Sequence, residues 1–198
     1  MIKAVIFDLG GVILNYTNDP YYSYLHKLSK RPLHQIREVV EGKLIHELES
    51  GSISLDNFEK KVSITLGIKR NEVKWYAFYV DRVTVNHEME RLVKRLKDKY
   101  TTAYISNIDK PRYVYTKKLL KTGYFDYKFA SCNIKSRKPS PAIYNYALKK
   151  MKIEPGEAVF IDDKIENVRS AKRIGIHGIW FKGIKDLTVK LAQLGVIG

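Results

Sequence analysis

Four short stretches carry side chains able to act on one ligand: Asp8, Ser106-Asn107, Lys138 and Asp162-Asp163. Three of them close apolar runs. Ala4-Val5-Ile6-Phe7 stops on Asp8 and turns through Leu9-Gly10-Gly11. Thr101–Ile105 stops on Ser106-Asn107, and Ala158–Ile161 stops on Asp162-Asp163. Short runs rich in β-branched and aromatic residues read as buried strands. Polar groups at the carboxyl ends of such strands are where open α/β sheets place their ligands. The glycines after Asp8 permit a tight turn and close approach of backbone to a ligand.

The chemistry these groups could share is specific. Carboxylates without His or Cys make a hard oxygen site, which suits Mg²⁺ rather than zinc. A carboxylate such as Asp8 can be a covalent nucleophile toward phosphorus. A phosphoryl group in transfer carries charge on its equatorial oxygens and needs a cation, donors and a metal around it. Lys138, the Ser106 hydroxyl with nearby backbone N–H groups, and Mg²⁺ would supply them. Each feature has a plainer reading alone: Asp8 as a turn former, Ser106-Asn107 and Asp162-Asp163 as helix caps. Arrival together at one sheet edge favours the chemical reading.

Elements that could bring them there are visible in the periodicity. From residue 88 helices and strands alternate. A helix carries Met89, Leu92, Val93 and Leu96, and a strand covers 101–105. A helix over 111–121 stops at Gly123, and Phe125–Ser131 is a weaker strand. Ser140-Pro141 opens a helix running to Met151. The strand 158–161 and a helix from 165 to Gly175 follow, then a last strand, Ile176–Phe181. That alternation predicts a parallel sheet with right-handed crossovers. Residues 15–87 read instead as a compact all-helical insert. Asp19-Pro20 starts one helix, and a second covers 32–49 with Leu33, Ile36, Val39, Val40 and Leu44 on one face. A third is capped by Ser54 and stopped by Gly67, and a fourth spans 71–80.

Composition narrows the class. The 198 residues suffice for one core, or a core with a small inserted domain. No apolar run reaches the ~20 residues of a membrane span, and Asp8 interrupts what would be a signal's apolar stretch. Cys132, the single cysteine, excludes an intrachain disulfide, has no activating neighbour, and points to a reducing cytoplasm. The net charge of +15 is uneven: residues 110–152 hold twelve Lys/Arg against one acid, Asp126. That bias favours anionic partners, whether phosphorylated metabolites, nucleic acid or an anionic surface. Tyr113, Tyr115, Tyr124, Tyr127, Tyr144 and Tyr146 lie among those lysines, as stacking on single strands would need.

With these motifs in order, the chain resembles the haloacid dehalogenase (HAD) superfamily, in its phosphatase branch. FDLGGVIL is similar to that family's first motif, AYISN to the second, SRKPSPAIY to the third and VFIDDKIENV to the fourth, in order and spacing. The resemblance implies an α/β fold: a Rossmann-like parallel-sheet core of residues 1–14 and 88–198, with a C1-type helical cap at 15–87. It implies Asp8 as nucleophile and Mg²⁺ held by Asp8, the Gly10 main-chain carbonyl and Asp163, with Asp162 acting through water. It further implies that Ser106 and Asn107 bind phosphate oxygens, that Lys138 pairs with Asp8 and the phosphate, and that Asn167 lies behind the metal ligands.

One position departs from the pattern. Where the family carries an aspartate two residues after the nucleophile as general acid and base, this chain has Gly10. Loss of such a group typically costs ~10²–10⁴ in rate. His26, His34 and His46 are the titratable candidates in the insert, and none stands out. The expected function is a Mg²⁺-dependent phosphomonoester hydrolase acting on a small phosphorylated metabolite. The alternatives are a metal-independent 2-haloacid dehalogenase, disfavoured by the paired acids, and a HAD-like scaffold binding nucleic acid or a protein partner. Oligomeric state is open.

Overall fold

The computed structural model describes residues 1–120 and 123–198. Strand β1 (Ala4–Phe7) is followed by β2 (Leu14–Asn15). Helices α1 (Asp19–Ser29), α2 (Leu33–Glu41), α3 (Lys43–Glu49), α4 (Leu55–Leu66) and α5 (Trp75–Val80) come next, then β3 (Thr84–Val85). Beyond them lie α6 (His87–Lys97), β4 (Thr101–Ser106), α7 (Lys110–Leu119), β5 (Tyr127–Ala130), α8 (Ser131–Ile134) and α9 (Pro141–Met151). The chain finishes with β6 (Ala158–Asp162), α10 (Ile165–Arg173), β7 (His177–Trp180) and α11 (Ile184–Gln193).

Five strands form one parallel sheet in the order β5-β4-β1-β6-β7. The expected α/β parallel-sheet fold is the observed one. β1 is central because its four residues are all apolar and fully buried, as a strand covered on both faces requires. Its side chains alternate: Val5 and Phe7 join a cluster with α6 and α11, while Ala4 and Ile6 join a second cluster with α9 and α10. Helices therefore cover both faces. Pairing of Phe7 with Tyr104 on one side and Ile161 on the other keeps the strand ends in step. Asp8, Ser106 and Asp162 consequently finish at one edge.

Helices α1–α5 have an apolar cluster of their own, built around Tyr21, Phe58, Val62 and Trp75. The chain enters and leaves them through β2 and β3, an antiparallel pair in which Leu14 faces Val85. Polar contacts then tie the helices down: Trp75 Nε1 donates to Asp109 Oδ2 at 3.1 Å, and Ser131 Oγ donates to the Glu49 carbonyl at 2.5 Å.

Several elements differ from expectation. The helix expected over 32–49 is two helices, because Gly42 adopts ψ −147° and a side chain there would collide with the Glu38 carbonyl. Leu33, expected inward, is exposed at the first turn, while Ile36 and Val40 are buried. The helix expected over 71–80 begins at Trp75, after a 3₁₀ turn over Arg70–Glu72. The β2–β3 pair and α8 are too short to show a period. α11, by contrast, carries Leu187 and Leu191 one turn apart and fully buried, a helical spacing present in the sequence. Helix α7 runs to Leu119, and Lys121, its expected end, lies outside the described residues.

Phe160 is fully buried, with its ring 5.2 Å from that of Tyr144 in an edge-on contact. Phe160→Ala is expected to lower the unfolding free energy by about 3–5 kcal/mol, through lost transfer energy and the cavity left behind. A urea midpoint unchanged from that of the parent chain would contradict a core built on both faces of the sheet.

Candidate active site

At the shared edge Lys138 is the organising cation. Its Nζ donates to Asp8 Oδ1 at 2.8 Å and to Asp162 Oδ2 at 2.6 Å, and its side chain is 1% exposed. The loop carrying it is held by one residue of the β4 end: Asn107 Oδ1 accepts from the Lys138 backbone N–H at 2.8 Å, and Asn107 Nδ2 donates to the Lys138 carbonyl at 2.9 Å. The Lys138–Pro139 peptide is cis, and Ser170 Oγ donates to the Pro139 carbonyl at 2.5 Å.

Asp162 is fully buried and its oxygens are occupied. Oδ1 accepts from the Lys164 N–H at 2.8 Å, and Asn167 Nδ2 donates to both oxygens at 3.0 Å. Asp163 is different: it is exposed to the cavity and its Oδ2 lies against Gly11, where a Cβ would collide with it. Gly11 has φ +77°, so glycine is needed there twice over, for the backbone and for the acid's approach. Asp8, Asp162 and Asp163 each present an oxygen within 4.8 Å of the others.

The electrostatics follow from that crowding. Burial pushes the Asp8 carboxyl up to about 8; the Asp162 charge adds to this, Lys138 pulls only part of it back, and Asp163 adds a little more. Burial, then Asp162, also raises Asp163. Burial opposes the charge on Lys138, but Asp162 and Asp8 outweigh it and lift its pKa above the ordinary lysine value. Three carboxylates facing one ammonium leave a negative excess, and a hard divalent cation would relieve it. Of the three, Asp163 keeps the oxygens least committed to the protein.

The edge opens into a cavity of about 630 Å³. Asp8, Gly10, Ser106, Lys138 and Asp163 line one side of it, and Asn18 just before α1, with Arg37 and Glu41 of α2 and His46 of α3, line the other. Glu49 joins the two sides. Its carboxylate accepts from Arg112 Nη2 at 3.5 Å and from Arg137 Nη2 at 3.1 Å, while the Arg112 Nε–Asp109 pair closes the network.

The structure therefore brings Asp8, Gly10, Ser106, Asn107, Lys138, Asp162, Asp163 and Asn167 into one neighbourhood. It gives two of them partners within the protein that the sequence did not show. Both polar groups of the Asn107 side chain are spent on the Lys138 backbone, so its amide positions the lysine and only its main-chain N–H is left for a phosphate. Asp162 holds Lys138 and is itself held by Asn167, so its place is behind Asp8 and Asp163. Of the three candidate histidines only His46 lines the cavity. Cys132 is half-buried, and burial raises its thiol pKa, which suits an unreactive residue. The expected stacking platform is mostly core: Tyr113, Tyr124 and Tyr144 are buried, leaving Tyr127 and Tyr146 exposed. Glu49, Arg112, Arg137 and Tyr16 were not anticipated. Arg112 had a local signal, its spacing three residues after the capping Asp109. Glu49 had none.

Comparison with known proteins agrees with this fold. The family profile of haloacid dehalogenase-like hydrolases matches residues 2–175. A sesquiterpene phosphatase of Aspergillus oryzae is 26% identical over 195 residues, covering 97% of this chain and 96% of its own. D-ribitol-5-phosphate phosphatase of Bacteroides thetaiotaomicron is 25% identical over 190 residues, covering 89% of this chain and 90% of its own. A HAD family enzyme from the same bacterium, solved with magnesium and inorganic phosphate, superposes with a TM-score of 0.75 at 24% identity. That match covers 90% of this chain and 93% of the other. Among the described residues no helix is long and apolar enough to cross a membrane.

The raised Asp8 pKa contributes to the pH response of the metal-free protein. A carboxyl at 3.8 unfolded and about 8 folded favours the folded state at the acid end, and that contribution is lost as pH rises through this window. In chelator, urea midpoints of the parent chain should fall between pH 5 and 8, and Asp8→Asn should flatten the slope. Parallel profiles for the two proteins would contradict the crowded-carboxylate site.

Proposed function

The chain belongs to the haloacid dehalogenase-like hydrolases, and on that footing we propose that it is a Mg²⁺-dependent phosphomonoester hydrolase working through an aspartyl phosphate on Asp8. The observation that carries this is the cluster of Asp8, Asp162 and Asp163 oxygens, the first two bridged by the buried Lys138, at the edge of a cavity that Ser106 also lines. Two relatives, named as a sesquiterpene phosphatase and a D-ribitol-5-phosphate phosphatase, support the phosphatase class and leave the leaving group open. The structural neighbour bound to magnesium and phosphate supports the choice of metal.

In this reading Asp8 attacks phosphorus, the bond to the leaving-group oxygen breaks, and water later releases phosphate from Asp8. Lys138 aims Asp8 and offers a positive charge to the phosphoryl oxygens; the Ser106 hydroxyl and the Asn107 main-chain N–H add donors. Asp8, Asp163 and the Gly10 carbonyl would hold Mg²⁺, which supplies charge neutralisation for the nucleophile and the phosphoryl group. Asp162 and Asn167 fix Lys138 and the following turn. Residues 15–87 act as the cap over this site, and their polar wall of Asn18, Arg37, Glu41 and His46 selects a small phosphorylated metabolite. The negative cluster disfavours the dehalogenase alternative, which must accommodate an anionic carboxylate and expel halide.

Wild-type protein should release phosphate from aryl phosphates only with Mg²⁺ present. Asp8→Asn should lower kcat by roughly three orders of magnitude or more, and undiminished turnover in that variant would remove the mechanism. Asp163→Asn should raise the Mg²⁺ concentration needed for half-maximal activity by about 10-fold or more. Asn107→Ala should leave Mg²⁺ dependence intact while reducing kcat/KM about 10²-fold by misplacing Lys138; a normal rate would show that the lysine loop needs no pin.

A further inference from the structure

Gly10 leaves the proposed reaction without the proton donor that usually stands two residues after the nucleophile, and the space beside it is open. A Cβ placed on Gly10 would meet nothing within 4 Å. The gap continues into a second cavity of about 60 Å³, lined by Gly10, Ser106, Asn107, Arg112, Tyr16 and Tyr79 among others. That volume is enough for a leaving-group oxygen or a water or two.

Five residues line both this cavity and the large one: Gly10, Tyr16, Ser106, Asn107 and Arg112. Few of them can give up a proton. Gly10 has no side chain, the Asn107 amide is tied to the Lys138 backbone, and a guanidinium does not deprotonate. Ser106 is the phosphoryl ligand in the proposed mechanism. Tyr79, lining only the small cavity, shares its hydroxyl with Thr116 Oγ1 at 2.7 Å. His46 lies on α3 and lines only the large cavity. That leaves the Tyr16 phenol.

We propose that Tyr16 is the proton donor to the leaving-group oxygen, doing from the β2–α1 connection what a carboxyl group at position 10 would do. This inference rests on the phosphatase reading and adds a catalytic residue to it. Tyr16 is held by its ring, which packs edge-on against Tyr79 with centroids 4.8 Å apart, and the buried Arg112 lines the same small cavity. Burial raises the phenol pKa and Arg112 pulls it partly back. A phenol remains a far stronger acid than an alcohol, so donation to a departing alkoxide is downhill. As Asp8 forms its bond to phosphorus, the phosphorus–oxygen bond to the leaving group breaks and the Tyr16 proton moves to that oxygen. The phenolate formed then takes a proton from the water that attacks the aspartyl phosphate, restoring the phenol.

Leaving-group dependence tests this directly. Wild type and Tyr16→Phe are compared with Mg²⁺ on a series running from p-nitrophenyl phosphate to a primary alkyl phosphate, whose alkoxide is a far stronger base than the Tyr16 phenolate, with kcat/KM as the readout because it reports the first cleavage. Removing the donor should slow the alkyl phosphate by about 10²-fold or more, and by at least about tenfold more than p-nitrophenyl phosphate, whose leaving group needs little protonation. Gly10→Asp, placed in the Tyr16→Phe background where the backbone has room for it, should restore alkyl phosphate turnover by about tenfold or more. Equal losses across the series, or no recovery in the double variant, overturn the assignment of Tyr16 while leaving the phosphatase reading in place. A wild type inactive on the whole series, with or without Mg²⁺, overturns both.

Discussion

The ammonium of Lys138 lies between two carboxylates that the sheet has already brought together, and the rest of the site depends on it. Asp8 and Asp162 sit at the ends of adjacent strands, so register alone places their charges side by side. Without a cation between them the edge could not stay both buried and ionised. The lysine's stem is enclosed, its backbone is pinned by Asn107, and its ammonium is shared at 2.8 and 2.6 Å. Removing one member of such a group strands the others, so it fixes geometry more than it adds stability. Its balance is also incomplete, because Asp163 brings a third carboxylate that has no ion pair among the described residues. The protein thus carries a built-in demand for a divalent ion.

A second buried polar group joins the helices to the sheet. Asp109 caps α7, pairs with Arg112 and accepts from Trp75, and Arg112 in turn reaches Glu49. Arg112 also lies under the rings of Trp75 and Tyr79, with its Cζ 4.5 and 5.3 Å from their centroids. Its charge is therefore met by two acids and two aromatic faces, which is how a guanidinium tolerates full burial. Because Arg137 binds the same Glu49 and precedes Lys138 in the chain, the position of α3 is coupled to that of Lys138. The helices close the cavity and help set its floor.

Much of this was legible before any coordinates. β1 is a run of four apolar residues ending on an acid, and no reasonable packing leaves it outside the core. Four motifs in order located Asp8, Ser106, Lys138 and the Asp162-Asp163 pair. Ser54 and Ser140 cap their helices as their positions suggest, accepting from Asn57 and Ala142. Less legible was the helix break at Gly42, since the apolar spacing continues across it while the backbone does not. The tyrosines among the lysines misled for a related reason. Tyr113, Tyr124 and Tyr144 share a polar neighbourhood in sequence, yet the fold draws their rings inward.

Local sequence determined which residue types end each strand, because strand and turn preferences act over a few neighbours. It thereby determined the chemical inventory of the site. Only the tertiary structure decided how those residues divide the labour: that the Asn107 side chain serves Lys138 rather than a ligand, that Asp162 stands behind while Asp163 faces the cavity, and that Tyr16 and Arg112 border the gap at Gly10. Such assignments depend on which lone pairs and protons are already engaged by partners far away along the chain. Hydrogen-bond satisfaction is a property of the folded neighbourhood, and no spacing in the sequence records it.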